Sequence, residues 1–242
     1  MKYIAIVQAR TNSTRLRNKV MKKILNKTVI EILLRRLSKS KLIDKIIVAT
    51  TKNKSDDKLV NLLKKLNFDF YRGSEKNVLK RYLDASKKYN AKYIVRITAD
   101  NPIIEPKIVD NVIKLFEKTK VDYCTNENPP TFPQGLCAEV FSYKALLSSL
   151  NKARKETEIE HVTTIMKKSK NIKRSNLYSK KNLSNIRLSL DYQKDFVVIK
   201  KVFNYFEKNI HFSYFQLCKL IKKKPNLFKI NSHLNKNVIR YY

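Results

Sequence analysis

The chain has 242 residues, 43% of them hydrophobic, and carries 53 lysines and arginines against 20 acidic residues, a formal net charge of +33. The length fits a single α/β domain over 1–242 with a basic tail at about 225–242, and the hydrophobic fraction excludes an intrinsically disordered chain. No apolar run approaches the roughly 20 residues that a membrane-spanning helix needs, and the N-terminus is too short and polar for a signal peptide, so we expect a cytoplasmic protein without membrane insertion.

Short β-branched segments alternate with helical patterns in the first half of the chain. The predicted strands are residues 3–8, 45–50, 68–71 and 92–98. Apolar residues recur at helical spacing in 29–37, 59–66 and 78–85, and Pro106 marks the start of a fourth helix. Ser55 and Ser74 are the predicted N-caps of the second and third helices. This repetition predicts an α/β fold with a single doubly wound, mostly parallel sheet and right-handed crossovers.

The pattern changes after a further strand at 121–125. Three prolines in 126–135 exclude regular structure there and predict a loop. Beyond it we expect a strand at 138–141, helices at 143–154 and 158–168, and strands at 172–177 and 186–190. An amphipathic helix at 193–208 follows, and Ser213 is predicted to cap a shorter helix before the basic tail.

The loop after the first strand is the first candidate site, because ligands of open α/β sheets bind beyond the carboxyl ends of the strands. Residues 8–19 read QARTNSTRLRNK, with three arginines, one lysine and three hydroxyl groups. Guanidinium groups and backbone amides in such a loop can wrap a polyphosphate. A basic loop is also an ordinary solvated feature, so the residue types alone leave both interpretations open.

Two aspartates follow predicted strands. Asp100 comes after the strand at 92–98, and Asp191 comes after the one at 186–190. A lone aspartate in this position is commonly a turn former or a helix cap. Two of them can share a Mg²⁺ ion, which binds through one or two carboxylates and phosphate oxygens. Together with the basic loop they outline a site for a nucleoside triphosphate.

The net charge of +33 raises the alternative of a non-enzymatic binder of RNA or another anionic surface. The positive charge is scattered over every predicted helix instead of being concentrated in one arm, which is typical of a compositional bias in the coding sequence. A carboxylate at Asp100 would also repel a phosphate backbone unless a cation bridged them. We therefore expect no nucleic-acid partner.

Eight segments spread over nearly the whole chain resemble a known protein family. They are IVQARTNSTRLRNKV, KLIDKIIVATT, YRGSEKNVLKRY, YIVRITADNPII, PQGLCAEVF, EIEHVTT, RLSLDYQKDF and INSHLNKN. In this order and spacing they are similar to the SpsF-type spore coat polysaccharide biosynthesis proteins, which are relatives of the acylneuraminate and deoxy-octulosonate cytidylyltransferases. The resemblance implies a nucleotide-diphospho-sugar transferase-like fold of the GT-A, Rossmann-like kind.

The same resemblance implies an activity. It indicates a Mg²⁺-dependent nucleotidyltransferase, with CTP as the favoured nucleoside triphosphate, that activates an acidic or amino sugar, or a sugar phosphate, for cell-surface polysaccharide and releases pyrophosphate. Relatives in the family suggest a homodimer. The open alternative is a sugar-1-phosphate nucleotidyltransferase, or a glycosyltransferase of the same fold that uses a nucleotide sugar.

Roles for individual residues follow from the resemblance. Arg10, Lys19 and Asp100 match catalytic positions, and Asp100 and Asp191 match metal ligands. Positions near the sugar are matched by Glu139, Glu160 and His161, although a structural role on its helix is an equal alternative for His161. The nucleotide-binding positions, for several of which strand-end packing is the alternative, are Gln8, Ala9, Arg10, Ser13, Arg15, Lys19, Thr50, Thr51, Arg72 and Arg96.

The chain departs from the family pattern in the first loop and before the metal-binding aspartate. Where many relatives have glycine and proline, this chain has Arg17, Asn18 and Ala99, and Cys137 replaces a residue that is often polar. Glycine lets a backbone approach phosphate closely, and asparagine tolerates the same left-handed conformation. The identity of the sugar is therefore left open by the sequence.

Overall fold

In the part of the chain that the computed structural model describes, residues 2–207 and 209–237, strands alternate with helices. The strands are β1 (Tyr3–Gln8), β2 (Lys23–Ile24), β3 (Lys27–Thr28), β4 (Lys45–Thr51), β5 (Asp69–Gly73), β6 (Tyr93–Thr98), β7 (Tyr123–Thr125), β8 (Glu139–Ser142) and β9 (Arg174–Asn176). The α-helices are α1 (Val29–Leu37), α2 (Asp57–Lys65), α3 (Val78–Lys88), α4 (Pro106–Thr119), α5 (Tyr143–Lys152), α6 (Glu156–Glu160), α7 (Thr164–Lys168), α8 (Gln193–Tyr205), α9 (Tyr214–Lys223) and α10 (Pro225–Lys229).

Seven of the described strands form one sheet in the order β5-β4-β1-β6-β8-β7-β9. Every neighbouring pair is parallel except the two that involve β8, which runs antiparallel to β6 and to β7. The predicted α/β class with a mostly parallel sheet is confirmed. The parallel strands β1, β4 and β6 end at one edge of this sheet, and the loops that follow them therefore lie close together.

The sheet is covered on both faces, since alternate residues of each central strand enter different apolar clusters. Ala5 and Val7 of β1 pack beneath α1, α2 and α4, whereas Ile4 and Ile6 pack beneath α3 and α5. Strands buried on both faces consist of nearly continuous apolar residues, as β1 does. This burial explains why the predicted bounds of β1 match the observed ones.

A third apolar cluster joins the C-terminal helices α8, α9 and α10 to α1 and to the segment before α8. Arg36 of α1 is buried at this junction and donates hydrogen bonds to the carbonyls of Ile104, at 2.8 Å, and Phe212, at 3.1 Å. Its guanidinium also lies 4.5 Å from the centre of the Phe212 ring. The C-terminal helices are thereby attached to the sheet domain beside the loops at its carboxyl edge.

Several predicted elements were wrong. Residues 186–190 form no strand and contribute only a single bridge, between Arg187 and Gln134, because their apolar side chains are buried in the third cluster. The helix predicted at 158–168 is divided into α6 and α7 at Val162, whose φ is 49°. The short hairpin of β2 and β3 was not predicted. Its two-residue loop takes left-handed backbone conformations, which the apolar pattern does not reveal.

The predicted N-caps were also wrong. Asp56, not Ser55, precedes α2. Asn77 caps α3, and its side chain accepts a hydrogen bond from the Lys80 amide at 2.7 Å. Ser74 lies three residues further back and accepts from the Asn77 amide instead. The observed cap residue therefore lies one position after the expected one at α2 and three positions after it at α3.

The segment predicted as a basic tail is folded where the structure describes it. Residues 225–229 form α10, residues 232–237 form a short 3₁₀ helix, and Phe228 is buried in the third cluster. Residues 238–242 lie outside the described residues, as does residue 208, the predicted end of the helix that ends here at Tyr205. Among the described helices, none combines the length and apolar character that crossing a bilayer requires.

Candidate active site

The loop after β1 is held in place by one buried carboxylate, that of Asp56. Its side chain accepts hydrogen bonds from the Thr11 amide, at 2.7 Å, and from the Thr11 hydroxyl, at 2.8 Å. It also accepts from the hydroxyls of Thr50, at 3.0 Å, and Thr51, at 2.5 Å. Burial opposes ionisation, but these hydrogen bonds keep the pKa of Asp56 below its ordinary value. The carboxylate therefore joins the loop after β1 to the loop after β4.

Asn18 supplies the sharp turn that leads this loop into a short 3₁₀ helix at Lys19–Met21. Its φ of 55° lies in the left-handed region, where glycine and asparagine are the residues tolerated best. The side-chain oxygen of Asn18 accepts a hydrogen bond from Lys58 at 2.6 Å. Asparagine therefore provides the left-handed conformation of this turn without a glycine.

Lys19 lies between the two predicted metal ligands. Its Nζ donates to Oδ2 of Asp100 at 2.8 Å and to Oδ1 of Asp191 at 3.0 Å. Only 13% of the Lys19 side chain is exposed. Burial lowers the pKa of the ammonium, but the two carboxylates raise it more, so the net shift is upward. The structure thus brings together three side chains that the sequence places in three separate segments.

Asp100 is fixed from within its own loop. The Thr98 hydroxyl donates to Oδ1 of Asp100 at 2.6 Å, and the Asn101 amide group donates to the Thr98 hydroxyl at 3.0 Å. Burial by itself would raise the pKa of the Asp100 carboxyl, but the charge of Lys19 and these hydrogen bonds keep it low. Asp100 is therefore an ionised carboxylate at neutral pH.

Asp191 is surrounded by cations. Besides Lys19, it contacts Nη2 of Arg15 at 3.0 Å and Nη2 of Arg187 at 2.9 Å. Arg187 in turn forms an ion pair with Asp195, which is fully buried, at 2.9 Å. Arg187 and Asp195 were not among the predicted site residues, although both lie within a motif, RLSLDYQKDF, that carried the resemblance.

A second buried carboxylate, Glu139, organises the neighbouring part of the site. It forms ion pairs with Arg96 and with Lys167, the latter at 3.2 Å, and accepts hydrogen bonds from the hydroxyls of Tyr123, at 2.6 Å, and Thr163, at 2.8 Å. Despite complete burial, Lys167 and Arg96 hold the pKa of Glu139 well below its usual range. Its side chain is committed to these partners. Lys167 was missed because nothing distinguishes it from the many other lysines of the sequence.

Two cavities lie on either side of the loop after β1. The aspartate cavity, about 350 Å³, is lined by Asp100, Asp191 and Arg96, together with residues of the 127–137 loop and of α7. The Arg10 cavity, about 550 Å³, is lined by Gln8 and Arg10 and by residues of α3 and α6. Residues 10–19 connect the two.

The remaining predicted residues are divided between these cavities and the framework around them. His161 lines the aspartate cavity, and burial lowers the pKa of its imidazole. Glu160 lines the Arg10 cavity and not the aspartate cavity. Arg72 donates to the carbonyls of Thr51, at 2.9 Å, and Asn53, at 2.9 Å, and so supports the loop after β4. The framework also includes Ala9, whose amide donates to Ala49, and Ser13, whose amide donates to Thr11.

Thr50 and Thr51 are buried, with their hydroxyls directed at Asp56. They line neither cavity, as strand-end packing would predict. Asp56 itself was missed, because its partner Thr11 lies 45 residues away in the sequence and no local pattern connects them.

Asp100 and Asp191 are the residues that can hold a divalent cation. Both accept from the same nitrogen of Lys19, so one cationic group already lies between their carboxylates. No cluster of three or more histidine, cysteine, aspartate and glutamate side chains suited to a metal occurs in the described ranges. A pair of carboxylates fits Mg²⁺, which takes further ligands from water and phosphate.

Comparison with known proteins finds relatives that match nearly the whole chain. A protein of Methanocaldococcus jannaschii described as uncharacterized is 38% identical over 243 residues, 99% of this chain and 98% of that protein. The spore coat polysaccharide biosynthesis protein SpsF of Bacillus subtilis is 28% identical, over 91% of this chain and 94% of its own length. The solved structure of a cytidylyltransferase from Leptospira borgpetersenii is 32% identical, covers 100% of both chains and superimposes with a TM-score of 0.91.

The family model described as cytidylyltransferase matches residues 4–233, which include the basic loop, both aspartates and the buried carboxylates that hold them. The resemblance to SpsF-type proteins found in the sequence is confirmed by the same comparisons. The chain therefore belongs to the cytidylyltransferase family, and the protein is a nucleotidyltransferase.

Proposed function

We propose that the protein is a Mg²⁺-dependent cytidylyltransferase that transfers the cytidylyl group of CTP to an acidic or amino sugar and releases pyrophosphate. The observation that carries this proposal is the position of Lys19, at 2.8 Å from Asp100 and 3.0 Å from Asp191 at the carboxyl edge of the sheet. An ammonium and two carboxylates in contact, next to an arginine-rich loop, suit phosphate chemistry.

The two cavities suggest how the substrates lie. The nucleoside of CTP occupies the Arg10 cavity, beside Gln8 and Arg10. Its triphosphate follows the loop from Arg10 to Lys19, where Arg15 and Lys19 bind phosphate oxygens. The sugar enters the aspartate cavity, where His161 and Lys167 line the wall. The α-phosphorus then lies between the cavities, near Asp100.

The charge balance of the site supports a divalent cation. Arg15, Lys19 and Arg187 are matched by Asp100, Asp191 and Asp195 in number. A triphosphate adds several negative charges to a cluster that is already neutral. When bound at Asp100 and Asp191, Mg²⁺ supplies the missing positive charge at the phosphate oxygens.

In the reaction, a hydroxyl oxygen of the sugar forms a bond to the α-phosphorus and the bond from that phosphorus to the bridging oxygen of the β-phosphate breaks. The electron pair leaves with pyrophosphate, and the hydroxyl proton passes to solvent. Arg15 and Lys19 stabilise the charge that develops on the departing pyrophosphate, and the Lys19 ammonium is already largely desolvated at the site. The name of the similar SpsF protein supports a product used for surface polysaccharide.

The test is pyrophosphate release from each of the four nucleoside triphosphates, with Mg²⁺ and a panel of acidic sugars, amino sugars and sugar phosphates. We expect release with CTP, and a loss of about 100-fold or more in Asp100→Ala. Asp84→Ala is the control, since Asp84 lies on the outer side of α3 and pairs with Lys80.

Turnover of a sugar phosphate only would reassign the acceptor. Release of a nucleoside mono- or diphosphate from a nucleotide sugar, with none of pyrophosphate, would replace the proposal by a glycosyltransferase. Light scattering measures the homodimer that the family resemblance predicts.

A further inference from the structure

All four oxygens of the two aspartates already have partners. Those of Asp100 accept from the Thr98 hydroxyl, at 2.6 Å, and from Lys19, at 2.8 Å. Of the Asp191 oxygens, Oδ1 contacts both Lys19 and Arg15 at 3.0 Å, and Oδ2 contacts Arg187 at 2.9 Å. A divalent cation that contacted both carboxylates where they meet would take the place of the Lys19 ammonium.

We infer that Lys19 is a placeholder cation, which keeps Asp100 and Asp191 together and prevents tight binding of a divalent cation there until a nucleoside triphosphate accepts the Lys19 ammonium. This inference rests on the proposed function in one respect, that the anionic ligand is a nucleotide. It assigns to Lys19 a positioning role in addition to phosphate binding. It also makes the binding of cation and nucleotide interdependent.

The burial of Lys19 provides the physical reason. With only 13% of its side chain exposed, the ammonium has little access to water and relies on the two carboxylates. If a divalent cation took those carboxylates, Lys19 would remain as a buried charge without a partner, which is strongly unfavourable. A triphosphate beside the loop removes this penalty, because its oxygens accept the displaced ammonium.

The backbone permits the exchange. Lys19 begins the short 3₁₀ helix at Lys19–Met21, and its amide donates to the carbonyl of Leu16 at 3.2 Å. The main chain therefore stays in place while the flexible four-carbon side chain turns from the carboxylates to the phosphates. Arg15 is more exposed, at 52%, and contacts Asp191 alone of the two aspartates. Arg15 can therefore move away from Asp191 while Lys19 still joins the two aspartates.

Coupling of this kind is reciprocal. If nucleotide raises the affinity for the cation by a given factor, the cation raises the affinity for nucleotide by the same factor. Coupling between sites in proteins is typically about 5- to 150-fold. We expect the upper part of that range here, since the two ligands exchange one buried charge between them.

The experiment measures binding of Mn²⁺, as the probe for the divalent site, by electron paramagnetic resonance of the free ion. The nucleotide-free wild-type protein is expected to bind Mn²⁺ weakly, and Lys19→Met about tenfold or more tightly. Lys19→Arg keeps a cation between the carboxylates and should restore weak binding. Arg15→Met removes a charge from the same cluster but leaves Lys19 in place, and should change the affinity less than about threefold. Circular dichroism verifies that each variant is folded.

A second arm adds α,β-methylene-CTP, which cannot be cleaved, and compares Mn²⁺ binding to the protein–analogue complex with binding to the free analogue. Wild type should gain affinity when the analogue is bound, and Lys19→Met should lose most of that gain. Equal Mn²⁺ affinity of nucleotide-free wild type and Lys19→Met would overturn the inference. The inference would also be overturned if Arg15→Met raised the nucleotide-free Mn²⁺ affinity as much as Lys19→Met does. Absence of analogue binding to wild type would count against the proposed function instead, since the nucleotide-free arm does not depend on it.

Discussion

Oδ2 of Asp195 accepts a hydrogen bond from the backbone amide of Asp191 at 2.9 Å, so one fully buried carboxylate sets the position of the other. Asp195 also accepts from the Tyr192 amide, at 2.9 Å, and from the Asn231 side chain, at 2.8 Å. Together with its ion pair to Arg187, these contacts hold the Asp191 carboxylate towards Lys19. The position of the candidate metal ligand is therefore set in part by Asp195 and Asn231, which do not line the aspartate cavity.

Replacing Asp195 by asparagine should be strongly destabilising. The amide would place a donor opposite two backbone amides or Arg187, and the buried guanidinium would lose its charged partner. We expect the free energy of unfolding to fall by about 3 kcal/mol or more, measured by urea denaturation. Asp84→Asn, at an exposed pair on α3, should change it by less than about 0.5 kcal/mol. A loss for Asp195→Asn as small as that of the control would contradict the role assigned to this carboxylate.

Glu139 predicts how stability depends on pH. Lys167 and Arg96 depress its folded-state pKa below the ordinary value of 4.5, which applies to the unfolded chain. The unfolded state then binds the proton more readily, so the contribution to stability is complete above about pH 4.5 and is lost as the pH falls towards the folded-state pKa. Asp56 and Asp100, whose pKa values are also lowered, act in the same direction.

The variant Glu139→Gln tests this dependence. Urea midpoints of the variant should fall less steeply than those of wild type as the pH decreases from 5 to 3, since one of the depressed carboxyls has been removed. At pH 7 the variant should already be less stable by about 3 kcal/mol, because Arg96 and Lys167 lose their common partner. Parallel curves for the two proteins would show that Glu139 is not a major source of the acid sensitivity.

Gly135 is required where the 127–137 loop passes the segment before α8. Its φ is +98°, and a Cβ there would lie 2.5 Å from the backbone carbon of Leu188. Gly135→Ala should therefore displace residues 187–190, which carry Arg187 to the site, and reduce both stability, by about 2 kcal/mol, and pyrophosphate release. The comparison is Gly73→Ala, where the nearest atoms belong to the side chains of Arg81 and Tyr71 and no left-handed backbone is involved. An equally large loss at Gly73 would argue against this explanation.

Variants of Asn18 test whether the asparagine at this turn, where the family resemblance leads us to expect glycine, affects the site. Asn18→Gly keeps the left-handed turn and should leave the free energy of unfolding within about 1 kcal/mol of wild type, with pyrophosphate release retained. Asn18→Val, with a β-branched residue at φ 55°, should lower both by disturbing the position of Lys19. If valine were tolerated as well as glycine, the turn would have no part in forming the site.

The fold could be predicted where buried apolar residues recur at a regular spacing along the sequence. Strand β1 was located closely because its residues are buried on both faces of the sheet. Helix α1 was located closely because its apolar residues face the core on every turn. The strand expected at 186–190 was wrong for the same reason, since Leu188 and Leu190 are buried against helices and not within a sheet. Apolar spacing reports that a residue is buried, but not what it packs against.

The candidate site could be predicted where several charged residues lie in one short segment of the sequence. Arg15 and Lys19 lie within one loop and Asp100 follows β6, so their meeting at one edge of the sheet could be expected. Asp191 reaches the same place without the strand that was predicted before it. The roles of the buried carboxylates could not be expected in this way. Asp56 holds the first loop through Thr11, 45 positions earlier, and Asp195 accepts from Asn231, 36 positions later. Glu139 was expected near the sugar, but not as the common partner of Arg96 and Lys167.

Lys19 and Asp191 are separated by 172 positions in the sequence, yet their contact defines the candidate site. A ligand that binds there can do so only when the first loop and the segment before α8 have both reached their final places. Contacts of such long sequence separation form late and slowly in folding, because the chain between them must first be ordered. Nucleotide and cation should accordingly protect the whole chain against unfolding and proteolysis, as ligands that bind only the native state do.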